Sequence, residues 1–137
     1  MNRTLDIFSD GACSGNPGPA SIGVVIQENG TTIKTISESI GEATNNIAEY
    51  RAVLQGLELA HALGLREVEY FVDSELVARQ LSGQYRIKMP HLKELFLQVK
   101  EREKDFTKVT YHQVPRTHEK IKRADQLVNQ ALNLAEA

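Results

Sequence analysis

Apolar and polar residues alternate along the first part of the chain, and the period then changes. Over residues 4–10, Leu5, Ile7 and Ser9 fall on one side of an extended segment and Asp6, Phe8 and Asp10 on the other. Ala20 to Gln27, with Val24-Val25-Ile26 at its centre, predicts a second strand. Glu28-Asn29-Gly30 is a hairpin signal, because Asn-Gly suits the left-handed backbone of a tight turn. Thr31 to Ser39 alternates again and reads as an edge-like third strand. Gly15-Asn16-Pro17-Gly18-Pro19 separates the first two strands as a turn. The three strands are expected to form an antiparallel meander.

From Asn46 to about Leu63 the apolar positions recur at helical spacing, and Gly64 ends the run. One stripe holds Ile47, Tyr50, Leu54, Leu57 and His61. A second holds Glu49, Ala52, Gly56 and Ala60, whose small side chains suit close packing on a sheet. Val68 to Asp73 predicts a fourth strand, in which Phe71 and Asp73 repeat the spacing of Phe8 and Asp10. A short helix from Ser74 to Leu81, a basic loop to Met89, and a helix opened by Pro90 come next. Val109 to Val114 predicts a fifth strand, and a final helix runs from about Lys120 to Ala135. This order gives an α/β fold with a mixed five-stranded sheet. The strand that follows the long helix should pair in parallel through a right-handed crossover.

The 137 residues are expected to form one domain over 1–137, long enough to bury a core. A net charge of −2 does not announce nucleic acid, so any such partner must be drawn by local basic patches or metal ions. Cys13 is the only cysteine, which excludes an internal disulfide and fits a reducing compartment. No signal-peptide pattern or long apolar run is present, and a cytoplasmic protein without membrane contact or obligate protein partner is expected.

Four carboxylates carry the candidate chemistry. Asp10 ends an apolar strand, where a buried charge is costly unless something cationic meets it; an Asx-type cap on the following turn is the plainer reading. Glu49 closes an Asn46-x-x-Glu49 capping box on its own helix. Either Asp73 or Ser74 can cap the short helix that follows. Asp125 is harder to assign to local structure, because Ile121, Val128 and Leu132 place it inside an apolar stripe. Together the four are the right inventory for hard Mg²⁺ ions. Two such ions about 4 Å apart can activate water and stabilise the leaving oxygen of a phosphodiester. No Walker loop, CxxC pair or nucleophile elbow supports another chemistry.

The stretches Asp10-Gly-Ala-Cys-Ser-Gly-Asn-Pro-Gly-Pro19, Thr44-Asn-Asn-Ile-Ala-Glu-Tyr50, Val72-Asp-Ser74 and Ala124-Asp125 occur in that order. This pattern closely resembles type 1 ribonuclease H over essentially the whole chain. The resemblance implies a sheet of order 3-2-1-4-5 with helices on both faces. It implies a two-Mg²⁺ site on Asp10, Glu49, Asp73 and Asp125, with Mn²⁺ as a substitute ion. The implied activity is endonucleolytic hydrolysis of the RNA strand of an RNA/DNA hybrid, leaving 5′-phosphate and 3′-hydroxyl ends. Asn16, Asn45 and Asn46 match minor-groove contacts, and the backbone from Gly11 through Ala12 and Cys13 to Ser14 would join them in sensing 2′-hydroxyls. Thr44 matches a contact to a DNA-strand phosphate. Cys13 reads as a small packing residue, with no basic partner to make it a nucleophile.

Two departures matter. Many bacterial members carry a basic, Trp-containing protrusion where this chain has only the loop from Gly83 to Met89, with Arg79, Arg86 and Lys88 as weaker substitutes; modest hybrid affinity follows. The segment Val114-Pro-Arg-Thr-His-Glu-Lys-Ile-Lys-Arg-Ala-Asp125 resembles an archaeal-like branch, with extra residues and Ile121 where Asn is common. That branch extends the expected substrates to double-stranded RNA. His118 is a candidate proton shuttle and Arg116 a candidate phosphate contact, against a solvated loop for both. His61, His91 and His112 read as structural or surface residues. The rival functions are a hybrid-binding module that does not cut and a DNA-directed nuclease on the same fold.

Overall fold

In the computed structural model, which describes residues 4–64 and 66–136, β1 (Thr4–Cys13), β2 (Gly18–Glu28) and β3 (Thr31–Ala43) form the antiparallel meander. Helix α1 (Asn45–Ala62) crosses back to β4 (Glu67–Val72), which pairs with β1 in parallel. Helices α2 (Glu75–Leu81) and α3 (Pro90–Glu103) lead to β5 (Lys108–Gln113), parallel to β4, and α4 (Glu119–Glu136) closes the chain. The sheet order is β3-β2-β1-β4-β5, as the resemblance implies.

The alternation read in β1 divides the core. Leu5 and Ile7 join Val24, Ile26, Val68 and Tyr70 beneath α1, whose buried face includes Tyr50, Val53 and Leu57; α2 and α3 extend that layer with Leu81, Leu92 and Val99. Phe8 and Val25 face the other way, against Ile121, Ala124 and Leu127 of α4. The helices therefore cover both faces. No helix among the described residues is long and apolar enough to cross a membrane.

Two strand ends differ from the periodicity. β1 does not stop at Asp10. Gly11, Ala12 and Cys13 keep pairing with Ile22, Ser21 and Ala20 of β2, so the strand runs three residues past its expected end at residue 10. On its other side the parallel ladder to β4 ends at Phe8 opposite Phe71. Asp10 thus sits where one neighbour has left the sheet and the other continues. β3 also runs beyond Ser39, because Ile40 is accommodated as a bulge and Gly41 takes φ +81° beside it.

The seat of α4 is built from small residues. A Cβ on Gly23 would stand 2.1 Å from the Ala124 carbonyl oxygen, so only glycine admits the helix backbone there. Ser21 Oγ donates to the Val128 carbonyl and Ser37 Oγ to the Leu127 carbonyl, both at 2.6 Å. These contacts set how α4, and with it Asp125, lies across the sheet.

Candidate metal centre

Carboxylate oxygens of Asp10, Glu49 and Asp73 lie within 4.8 Å of one another. Asp10 comes from β1 just beyond its last pair with β4, and Asp73 follows the last residue of β4. Glu49 reaches them from the second turn of α1. The helix is capped by Thr44, whose side chain accepts the Ile47 N–H at 3.2 Å. The expected capping box from Asn46 is therefore not formed, and Glu49 lies too far along the helix to close one. Ser74, not Asp73, caps α2 by accepting the Val77 N–H at 3.2 Å. Both local explanations for these acids fall away. Gly11 makes the convergence possible: a Cβ there would stand 2.3 Å from the Ala48 carbonyl oxygen.

Asp10 is 5% exposed, and its Oδ2 is buried without a hydrogen-bond partner. Three converging carboxylates, one of them with an oxygen that is buried and unpartnered, are a donor set suited to a hard divalent cation. Asp125 stands outside the three-residue cluster but close enough to act on Asp10. Its Oδ2 accepts weakly from Asn129 Nδ2 at 3.4 Å. Arg116, the candidate phosphate contact, remains exposed and places Nε 3.1 Å from Asp73 Oδ2. It is the one cation whose charge acts on both Asp10 and Glu49 among the described residues.

Burial, then the charges of Asp73 and Asp125, push Asp10 from 3.8 up to about 7, with Arg116 opposing. Burial, then Asp73 and Asp10, push Glu49 from 4.5 up to about 8, with the Ser74 hydroxyl and Arg116 opposing. In both cases the native state holds its proton more tightly than the unfolded chain. Without metal, the native state therefore carries the extra protons between about pH 4 and pH 8, and stability must fall as pH rises through that window. Melting curves in EDTA should show Tm declining from pH 5 to pH 8. Added Mn²⁺ should raise Tm more at pH 8, where no proton has to be displaced, than at pH 5. A metal-free Tm that climbs over this interval would contradict the crowding.

A second constellation flanks the acids. Asn16 Oδ1 accepts the Asn45 N–H at 3.2 Å, and Asn45 Oδ1 accepts the Cys13 N–H at 3.1 Å. The Cys13 thiol faces Asn45 Oδ1 at 3.2 Å and is spent on packing the loop, as expected. Both amide oxygens are turned inward, so both Asn16 and Asn45 present their NH₂ donors outward. Asn16, Thr44, Asn45 and Asn46 then line a groove of about 480 Å³ whose far wall is Met89, His91 and Leu92. Ser14 closes the loop through its N–H to the Pro19 carbonyl at 2.8 Å.

The family model described as Reverse transcriptase-like matches residues 8–131. The N-terminal RNase H domain of a Mycobacterium tuberculosis protein superposes with a TM-score of 0.93 at 37% identity, covering 98% of this chain and 97% of that one. LC11-RNase H1, solved in complex with an RNA/DNA hybrid, superposes with a TM-score of 0.91 at 41% identity, over 97% and 99%. The chain belongs to the type 1 ribonuclease H family. It is 38% identical over 127 residues to ribonuclease HI of Halobacterium salinarum, covering 92% of this chain and 63% of that protein. It spans only 35% of the bifunctional protein of Mycobacterium tuberculosis, to which it is 39% identical over 131 residues.

As an archaeal-like ribonuclease H it lacks the basic protrusion: only Ser82 to Met89 join α2 to α3. Arg79 is not a free substitute, since it pairs with Glu75 at 2.8 Å and Gln84 at 2.9 Å and lies over the Tyr85 ring. His61 packs edge-on to Phe106, and His112 stacks on Phe71 and bonds Glu69, both structural as expected. His118 lies in the loop before α4 but is half-buried rather than solvated. Its ring lies on Phe8, and its Nδ1 accepts the Lys120 N–H. Periodicity alone does not report the close approaches at Gly11 and Gly23 that position this site. A glycine inside an alternating strand was the available signal for both.

Proposed function

We propose that this chain is an endonuclease that hydrolyses the RNA strand of RNA/DNA hybrids, using two Mg²⁺ ions held by Asp10, Glu49, Asp73 and Asp125. The observation that carries the reading is the three-carboxylate cluster that includes Asp10, whose Oδ2 is buried without a partner. Structural acids are ordinarily paired, whereas Asp10 and Glu49 are buried beside further carboxylates, which together with burial raises the pKa of both and favours a cation joining them. When bound, such ions lower the pKa of water and stabilise charge on the leaving oxygen.

The chain's own residues supply recognition. The minor groove presents acceptors on every base pair, which suits the outward NH₂ groups of Asn16 and Asn45. The Thr44 oxygen accepts from the helix backbone, which leaves its hydroxyl hydrogen to donate to a phosphate. Arg116 bridges the acids and the solvent side, where the scissile phosphate would lie. The hybrid bound by LC11-RNase H1 supports this substrate class.

The decisive assay incubates matched RNA/DNA, RNA/RNA, DNA/DNA and single-stranded RNA with Mg²⁺ or Mn²⁺. RNA-strand cleavage of the hybrid, with 5′-phosphate products, is the expected outcome. Tight hybrid binding without cleavage would make the chain a binding module, and cleavage of DNA/DNA alone would reassign it as a DNA nuclease. The RNA/RNA arm tests the broader substrate range of the archaeal-like branch.

A further inference from the structure

We propose that His118 is a positioning residue that seats the head of α4 and the preceding loop, so that Asp125 and Arg116 reach the carboxylate cluster, and that it does not serve as a proton acceptor. The inference deepens the proposed function and depends on it only for the turnover readout.

Backbone contacts show how the seat is made. The His118 N–H donates to the Pro115 carbonyl at 2.9 Å and closes the loop that carries Arg116. The His118 carbonyl accepts the Lys122 N–H at 2.9 Å, the first bond of the helix. Nδ1 accepts the Lys120 N–H at 3.1 Å, a further amide of the opening turn that would otherwise lack a partner. His118 therefore serves as the N-cap of α4. Asp125 lies seven residues on, close to two full turns, and so projects from the same side of the helix.

The ring fixes that cap to the sheet. His118 stacks on Phe8 at 5.1 Å and 27°, Phe8 on Phe71 at 4.7 Å and 11°, and Phe71 on His112 at 4.9 Å and 24°. Glu69 then holds His112. The ladder ties the loop to β1, β4 and β5. Phe8 and Phe71 stand two residues before Asp10 and Asp73, so the same rings that hold His118 lie on the strand face of both acids. Gly23 and Ser21 fix α4 further along its length. His118 fixes its start.

The cap also decides the proton chemistry. An imidazole nitrogen that accepts a backbone N–H is unprotonated, so the neutral ring carries its hydrogen on Nε2. That nitrogen is a donor and has no lone pair for an incoming proton. Protonating Nδ1 instead would break the cap.

The test compares the parent with His118→Ala, His118→Asn and His118→Phe. Asn keeps a cap acceptor without the ring, Phe keeps the ring without the acceptor, and Ala keeps neither. For each, Tm in EDTA, the rise in Tm on adding Mn²⁺, and kcat and KM on an RNA/DNA duplex are measured across pH 6 to 9. His118→Ala should lose about tenfold in kcat with KM little changed, and its Mn²⁺-induced rise should shrink. His118→Asn should recover kcat to within about threefold of the parent, with His118→Phe in between. All four pH profiles should keep one shape. If His118→Asn and His118→Phe are both as slow as His118→Ala while their Mn²⁺ responses match the parent, or if the variants lose one limb of the pH profile, His118 exchanges a proton and the proposal fails. A parent that never cleaves would sink the nuclease reading, and the Mn²⁺ response of the variants would still decide the positioning role.

Discussion

Asp10→Asn should abolish hybrid cleavage and at the same time raise the melting temperature of the metal-free protein at pH 8. The two effects share one cause. Asp10 is the most buried of the acids, the charges of Asp73 and Asp125 both act on it, and its Oδ2 has no partner. A neutral amide of the same shape removes charge from the centre of the cluster. It removes one of the charges that add to burial in pushing Glu49 up to about 8, and leaves Glu49 and Asp73 beside Arg116. The apo protein gains stability where both acids would have been ionised, and gains little at pH 5, where Asp10 is already protonated.

The catalytic loss follows from the same substitution. An amide oxygen is a weaker ligand for a hard cation and carries no charge to offset it. If bound ions supply several kcal/mol of transition-state stabilisation, single-turnover cleavage should fall by roughly 10³-fold or more. The response of Tm to Mn²⁺ should collapse in parallel. Cleavage within tenfold of the parent would remove Asp10 from the centre of the site. An unchanged apo Tm at pH 8 would show that the carboxylates are not crowded.

Much of this site is legible in the order of residues. Strand alternation places Phe8 with Asp10 and Phe71 with Asp73, and the structure pairs Phe8 with Phe71 across the parallel ladder. The sheet order and the placement of helices on both faces also follow from the element pattern and the resemblance. The start of α1 does not. Thr44, Asn45 and Asn46 are all good capping residues, and only tertiary contacts choose among them. Asn45 is drawn into the helix because its N–H meets Asn16 and its side chain meets Cys13. That choice takes Glu49 out of a capping box and gives it to the acids.

The segment before Asp125 is obscure for a different reason. Its polar, basic composition reads as solvated, yet two of its side chains are held by partners far away in the chain. Arg116 meets Asp73, and His118 meets Phe8. No periodicity reports a contact between a loop and a strand more than 100 residues earlier. Ile121 is buried in the same cluster as Phe8 and fills the core beneath α4.

Gly11→Ala should slow cleavage on the order of 10²-fold, although it removes no functional group. A methyl at this position would stand 2.3 Å from the Ala48 carbonyl oxygen, 2.4 Å from its carbon and 2.7 Å from the Glu49 nitrogen. All three are backbone atoms of α1, so no rotamer change can relieve the overlap. Either β1 or the opening of α1 must move. The helix is the freer of the two, because β1 is paired with β2 on both sides of Gly11. Moving α1 carries Glu49 away from Asp10 and strains the link from Asn45 to Cys13. Overpacking of this kind costs about 1–3 kcal/mol in stability. A displacement of about 1 Å at a catalytic group costs on the order of 10²-fold in rate. The expected signature is a lower Tm in EDTA, a weakened Mn²⁺ response and slow cleavage together, opposite in its Tm to Asp10→Asn. Full turnover in Gly11→Ala would mean that α1 can retreat without disturbing the acids, and that the close approach does not hold Glu49 in the cluster.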